Sequence, residues 1–92
     1  MQVNITFRQV EVNQPIKDYV RQKVSKVKKY VPEPVTASVV FSTERFLHLC
    51  DVTIFSQGKT YKGTESSEDM FSSVDKVMDK IERQLRRKRK AR

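Results

Sequence analysis

The spacing of apolar residues predicts a strand and then a helix in the first third of the chain. In "QVNITFR" apolar and polar residues alternate, as they do in a half-buried strand. The spacing then becomes helical, and six residues share one face: Ile16, Tyr19, Val20, Val24, Val27 and Tyr30. Asn13 and Pro15 are typical of a helix start, and the prolines of "VPEPV" end it.

The remaining pattern predicts three strands and a second helix. "VTASVVFSTE" and "LHLCDVTIFS" are predicted strands, and "SQGK" is a predicted hairpin turn. "KTYKGTE" is predicted to be a short polar strand that is either an edge or has an exposed face. Ser66 or Ser67 is expected to cap a helix that runs from about Glu68 to the high 80s. Its apolar stripe comprises Met70, Val74, Val77, Met78, Ile81 and Leu85.

The order β-α-β-β-β-α indicates an α+β fold. A strand–helix–strand start implies that the first two strands are parallel with a right-handed crossover, and the next strands form an antiparallel meander. We therefore expect a four-stranded mixed sheet with both helices on one face. Residues 1–92 are expected to form a single domain.

The net charge of +8 is concentrated in the two predicted helices. Residues 76–92 hold nine Lys and Arg against two acids, and residues 15–31 hold six against one. Residues 32–75 hold three against seven. This distribution indicates a polyanion such as nucleic acid or an anionic membrane. The alternative is a solubilising surface, although such surfaces usually intersperse the two signs.

The second helix separates its charges by face. A basic ridge has helical spacing and comprises Lys76, Lys80, Arg83, Arg87 and Lys90. The other flank of the apolar stripe carries Asp75, Asp79, Glu82 and Arg86. Like charges four residues apart destabilise a helix by roughly 0.2–0.5 kcal/mol per pair. The ridge therefore predicts a partner that neutralises it.

The first helix carries a weaker set of cations. Lys17, Arg21 and Lys28 lie on one flank, and Lys26 and Lys29 lie on the other. Lys23 falls within the apolar face, where it either extends along the helix–sheet contact or points at a ligand between the helices. Two basic helices are expected to form a positive groove for a phosphate backbone. Most aromatic residues are assigned to the core, so no stacking platform for bases is evident.

The sequence predicts neither an enzyme nor a metal site. His48, the one histidine, and Asp51 should face opposite sides of a strand, and Cys50 is expected in the core. The acids fit a helix cap and a solvated flank rather than a metal cage. No cofactor or small-molecule substrate is indicated. Without a signal pattern or a long apolar run, a cytoplasmic protein with no membrane partner is expected.

Three segments resemble the ribosome hibernation promoting factor and ribosome-associated inhibitor A family. They are "MQVNITFRQVEV", "IKDYVRQKVSKVKKY" and, most specifically, "EDMFSSVDKVMDKIERQLRRKRK". The resemblance implies a fold like a double-stranded-RNA-binding domain. It also implies binding to the 30S subunit and 70S ribosome through 16S rRNA, in the channel of mRNA and tRNA. Inhibition of translation in stationary phase or stress, with inactive 70S or 100S ribosomes, would follow.

The resemblance also nominates residues for rRNA contact. Lys23, Lys26, Lys80, Arg83 and Arg87 match the family pattern best. Lys76, Arg86 and Lys90 fit the charge pattern more than the motif, and Arg21 and Lys28 complete the candidate set. The chain resembles the short promoting-factor type, which acts with a separate ribosome modulation factor, although an N-terminal piece of a long member would look the same. Residues beyond about Lys88 are expected to fray until RNA orders them.

Two other functions compete with this hypothesis. A generic RNA-binding or RNA-chaperone module without a specific ribosomal site would carry the same basic ridge. A nucleic-acid-processing enzyme would also be basic, but it would need the catalytic constellation that the sequence does not offer.

Overall fold

The predicted order of elements is confirmed. The structure, a computed structural model, describes the backbone of residues 1–90 and the side chains of residues 1–87. Its elements are β1 (Gln2–Phe7), α1 (Gln14–Val24), a 3-10 helix (Ser25–Lys29), β2 (Val35–Glu44), β3 (Leu47–Ser56), β4 (Lys59–Ser67) and α2 (Met70–Lys90). Within the described residues, neither helix is long and apolar enough to span a membrane.

The four strands form one mixed sheet in the order β1-β2-β3-β4. β1 pairs parallel with β2, whereas β2, β3 and β4 pair antiparallel. The turn between β3 and β4 contains Gln57 and Gly58, which both have positive φ, at 49° and 76°. That backbone suits a two-residue hairpin turn. β1 and β4 are therefore the edges of the sheet.

The core lies between one face of the sheet and the two helices. The largest fully buried side chains come from both helices and the central strands, among them Phe41, Ile16, Ile54, Ile81 and Leu85. All six residues of the predicted α2 stripe are buried. Burying each such side chain stabilises the fold by roughly 1.5–3 kcal/mol. The opposite face of the sheet is open, and Phe55 there is 47% exposed.

The first helix starts as predicted but changes form before its end. The Asn13 side chain accepts a hydrogen bond from the Ile16 amide (3.1 Å), and Pro15 lies in the first turn. After Val24 the backbone tightens into the 3-10 helix. The tighter winding still keeps Val27 fully buried, so the apolar face continues to the predicted end.

The predicted cap of the second helix is wrong. β4 is longer than expected, and Ser66 and Ser67 continue its pairing with β3. α2 consequently begins at Met70, and the Asp69 carboxylate accepts from the Phe71 amide (3.2 Å) and the Ser72 hydroxyl (3.3 Å). An aspartate performs here the capping role that the sequence assigned to a serine.

Candidate nucleic-acid interface

One flank of α2 covers the outer edge of β4. Three α2 side chains at four-residue intervals donate to β4 carbonyl oxygens at two-residue intervals: Lys76 to Ser66 (3.3 Å), Lys80 to Thr64 (3.4 Å) and Gln84 to Lys62 (2.8 Å). The intervals match because four helical residues rise about 6 Å and two strand residues about 6.7 Å. The side chains satisfy carbonyl groups that the edge strand would otherwise expose.

Lys80 is the most engaged residue of the basic ridge. Its ammonium lies 2.9 Å from the Glu65 carboxylate. The hydrogen bond and charge of Lys80, with smaller contributions from Lys76 and Arg83, hold the pKa of Glu65 below its ordinary value. A side chain at Gly63 would lie 3.2 Å from Lys80 Cδ, so the glycine permits close packing of α2 on β4. Lys76 and Lys80 are therefore partly structural residues.

The other flank of α2 faces α1. Lys23 lies in the seam between the helices, with its ammonium 3.4 Å from Asp75 and 5.5 Å from the centre of the Tyr19 ring. Desolvation lowers the pKa of Lys23, but the hydrogen bond and charge of Asp75 outweigh it, and the pKa lies above its ordinary value. The Tyr19 hydroxyl also donates to Asp75, and this bond, together with desolvation, raises the pKa of Tyr19.

The predicted positive groove between the helices is wrong. A small cavity of about 90 Å³ in the seam is lined by two lysines, Lys23 and Lys26, and by three acids, Asp75, Asp79 and Glu82. The apolar stripe of α2 must face the sheet, and this constraint turns the acidic flank towards α1 and the basic ridge towards β4. The seam therefore balances charge within the chain rather than presenting a cationic channel.

Six further residues of the predicted site are exposed cations. Arg83, Arg86 and Arg87 project from the second half of α2, and Arg21, Lys26 and Lys28 from the first helix and its 3-10 extension. Among the side chains that the structure describes, these six form neither a hydrogen bond nor an ion pair. The side chain of Lys90, the last predicted ridge residue, lies outside that description.

Five of these six cations, all except Arg21, lie towards one end of the molecule. Tyr19 contacts Asp75, and Tyr30 further along contacts Glu82 (3.4 Å), so α1 and α2 run in the same direction. Both therefore end near the β3–β4 turn, which is followed directly by Lys59, the first residue of β4. This basic end comprises the 3-10 helix, the β3–β4 turn and residues 81–87 of α2. The opposite end carries four exposed acids, Glu11, Glu44, Glu68 and Asp69, against two exposed arginines, Arg8 and Arg45. Such a polarity favours approach of a polyanion to the basic end.

Among the described residues, no acid forms a hydrogen bond or ion pair with the His48 side chain. The Ser73 hydroxyl donates to the His48 carbonyl oxygen (2.7 Å), whereas Asp51 accepts from Thr64 on the open face. Burial, aided by the charge of Asp51, raises the pKa of the Cys50 thiol to about 12, which leaves no thiolate nucleophile at neutral pH. Within the described part of the chain, no group of three or more potential ligands could hold a metal ion.

Sequence reasoning missed two tyrosines at the basic end. Tyr30 and Tyr61 are half-buried and line a cavity of about 240 Å³ beside Lys59. Tyr30 ends the apolar face of the first helix, and Tyr61 is the one large apolar residue in an otherwise polar strand segment. The isolated aromatic in "KTYKGTE" is the signal that points to this cavity.

Comparisons with known proteins agree in both sequence and fold. A family model described as "Sigma 54 modulation protein / S30EA ribosomal protein" matches residues 3–92. A ribosome hibernation promoting factor of Pseudomonas putida is 32% identical over 87 residues, covering 95% of this chain and 85% of that protein. One of Salmonella typhimurium is 31% identical, covering 95% and 92%.

Two solved structures share the architecture. The N-terminal domain of Thermus thermophilus Protein Y matches with a TM-score of 0.86 at 24% identity, over 95% of this chain and 98% of that one. A ribosomal subunit interface protein from Coxiella burnetii matches with a TM-score of 0.84 at 19% identity, over 97% and 98%. At these identities the structures support the fold alone.

Proposed function

The chain belongs to the Sigma 54 modulation protein / S30EA ribosomal protein family, and from that premise we propose that it is a ribosome hibernation factor. Its relatives from Pseudomonas putida and Salmonella typhimurium carry that function in their names. Those names describe an effect on ribosomes rather than a reaction. The protein accordingly acts by binding and not by catalysis.

The proposed target is the small ribosomal subunit. The protein binds the 30S subunit and the 70S ribosome through 16S rRNA in the channel of mRNA and tRNA, and so blocks translation in the cytoplasm during stationary phase or stress. It stabilises inactive 70S or 100S ribosomes, the latter with a separate ribosome modulation factor. Residues 1–92 act as one ribosome-binding domain.

The observation that carries this proposal is the set of exposed arginines on the second half of α2. Arg83, Arg86 and Arg87 have no hydrogen bond or ion pair within the described side chains, so a phosphate can bind them without breaking a contact in the fold. Arginine also suits phosphate because its planar group can donate two parallel hydrogen bonds. Lys26 and Lys28 supply a second cationic group at the same end, and Arg21 adds a cation earlier on α1.

The other predicted contact residues must give up contacts within the fold in order to bind RNA. Lys23 must give up part of its pairing with Asp75, and Lys80 part of its pairing with Glu65. Lys76 already donates a hydrogen bond to the Ser66 carbonyl oxygen of β4. We assign these three a supporting role at the border of the interface, and Lys90 the role of extending the ridge.

Sedimentation of stationary-phase lysate through a sucrose gradient tests the proposal. The protein should travel with 30S, 70S or 100S particles, and it should leave them as salt rises, because phosphate contacts release counterions. A protein that stays in the soluble fractions at low salt would contradict the proposal. Binding to any RNA with equal affinity would instead support the generic RNA-binding alternative.

A further inference from the structure

We propose that the basic end carries a pocket for a single unpaired nucleobase of the bound RNA. The proposal rests on the proposed function, because it names the part of the RNA that this surface recognises beyond its phosphates. The pocket is the cavity of about 240 Å³ between the 3-10 helix, the β3–β4 turn and α2.

The walls of the pocket suit a flat heteroaromatic ring. Tyr30 and Tyr61 contribute two half-buried aromatic side chains, Pro32 adds a third ring, and Leu85 closes the bottom. Nucleobases that leave their stack bind to proteins by stacking on such side chains. The cavity is smaller than the roughly 300–1,000 Å³ typical of drug-sized ligands, which fits a base rather than a larger molecule.

The polar groups of the pocket suit the edge of a base. Gln57 offers both a donor and an acceptor from its amide, and Lys59 offers a cation. Gln57, Lys59 and the hydroxyl of Tyr61 form no hydrogen bond or ion pair with the described side chains. They can therefore be satisfied by a ligand without disrupting the fold.

The pocket is also preformed. The Ser56 hydroxyl donates to the Pro32 carbonyl oxygen (2.7 Å), which ties the end of β3 to the loop before β2. The Tyr30 hydroxyl donates to Glu82 (3.4 Å), which holds the ring against α2. A rigid pocket reduces the ordering cost of binding.

A cation at the cavity favours a nucleotide over an uncharged aromatic ligand. Lys59 lines the cavity itself. A cation beside aromatic walls matches a base that is flanked by phosphates. A free phosphate would leave the apolar walls unused.

Two RNAs test the proposal directly. Affinity of the intact chain is measured by fluorescence anisotropy for a nine-nucleotide oligouridylate and for an abasic ribose-phosphate chain of equal length. We expect the oligouridylate to bind about tenfold more tightly, since a stacked base contributes on that scale. Equal affinities would overturn the pocket.

Matched variants test whether the preference for bases comes from this pocket. Tyr61→Leu should lose most of the preference for bases while keeping its affinity for the abasic chain. Tyr19→Leu removes the tyrosine of the helix seam and should keep the preference. A Tyr61→Leu protein that retains the full preference would contradict the proposal.

A second measurement does not depend on any variant folding. In amide NMR spectra of the unmodified protein, oligouridylate should shift the signals of Gln57, Lys59 and Tyr61, and the abasic chain should not. Identical shifts with both chains would overturn the pocket. If the protein travels with ribosomes but shows no base preference, the pocket fails alone; if it prefers bases but stays free of ribosomes, the proposed function fails alone.

Discussion

The two halves of α2 differ in what their charges contact. In the first half, Asp75 forms an ion pair with Lys23 and accepts a hydrogen bond from Tyr19. Lys76 donates a hydrogen bond to a β4 carbonyl oxygen, and Lys80 forms an ion pair with Glu65. In the second half, Arg83, Arg86 and Arg87 have no such partner among the described side chains. A continuous basic ridge in the sequence is therefore two surfaces in the fold. The cations of the first half attach the helix to its neighbours. In the second half Glu82 and Gln84 make that attachment, and the arginines are available to a polyanion.

Charge reversal in the second half should have the largest effect. We expect Arg83→Glu/Arg87→Glu to reduce ribosome affinity by roughly 100-fold or more, because it replaces two phosphate contacts with repulsion. The exposed positions should leave the circular dichroism spectrum unchanged. Pelleting with purified ribosomes at fixed salt measures the loss.

A control for that variant carries the same change in net charge at the opposite end. Arg8→Glu/Arg45→Glu reverses two exposed cations on the first loop and the β2–β3 turn. It should bind nearly as well as the unmodified chain. If both variants lost affinity equally, net charge rather than the location of the arginines would govern binding.

Overpacking where the first half of α2 meets β4 should reduce stability. Gly63→Val would push Lys80 and Val77, whose carbons lie 3.2 and 3.3 Å from the position of an added Cβ. We expect a loss of about 1–3 kcal/mol in the free energy of unfolding by urea titration. The exposed change Thr60→Val in the same strand should stay within about 0.5 kcal/mol. Unchanged stability of Gly63→Val would show that α2 does not pack closely on β4.

Substituting a paired and an unpaired cation should show a smaller loss of RNA affinity for the paired one. Lys23→Ala should weaken ribosome binding less than Arg87→Ala, because Asp75 already neutralises Lys23. Asp75→Asn should raise affinity by a few-fold by releasing Lys23, on the scale of one surface charge pair. Titration by anisotropy with a labelled rRNA fragment compares all three. If Lys23→Ala lost more affinity than Arg87→Ala, Lys23 rather than Arg87 would be the stronger RNA contact, contrary to the roles assigned above.

The smallest expected effect is a change in one pKa. Lys80→Met should raise the pKa of Glu65 towards its ordinary value of 4.5, since Lys80 is the main cause of its depression. The stabilisation from this pair is present above that value and is lost as pH falls through the lower pKa of the folded state. NMR titration of the carboxyl group measures the change, with Lys62→Met as the control. If the pKa of Glu65 stayed depressed in Lys80→Met, Lys80 would not be the main cause of the depression.

Periodicity was sufficient to predict the architecture. The alternation in β1 and the helical spacing in α2 each mark the face that meets the core. The structure buries that face of α2 and partly buries that face of β1. The cap of α2 was missed because strand pairing with β3 extends β4 through Ser66 and Ser67. That extension depends on pairing with β3 residues that are distant in sequence. Local strand propensity therefore does not predict it.

The candidate site was only partly predictable. Helical spacing identified the cations of α2, but not which of them the fold uses internally. The partners of Lys23, Lys80 and Lys76 lie ten or more residues away, on other elements. The groove was mispredicted for the same reason, since the flank of α2 that faces α1 is decided by packing. The roles of the site residues in RNA binding remain predictions.

Cross-linking from a defined position tests the central claim most directly. Arg87→Cys carries a photoreactive label at the basic end and Arg45→Cys carries it at the opposite end. The buried Cys50, whose pKa of about 12 keeps it protonated, should not be labelled. With purified ribosomes, position 87 should cross-link to rRNA of the small subunit and position 45 much less. Cross-links that form mainly from position 45, or only to ribosomal proteins, would contradict the claim that the second half of α2 is the RNA-binding surface.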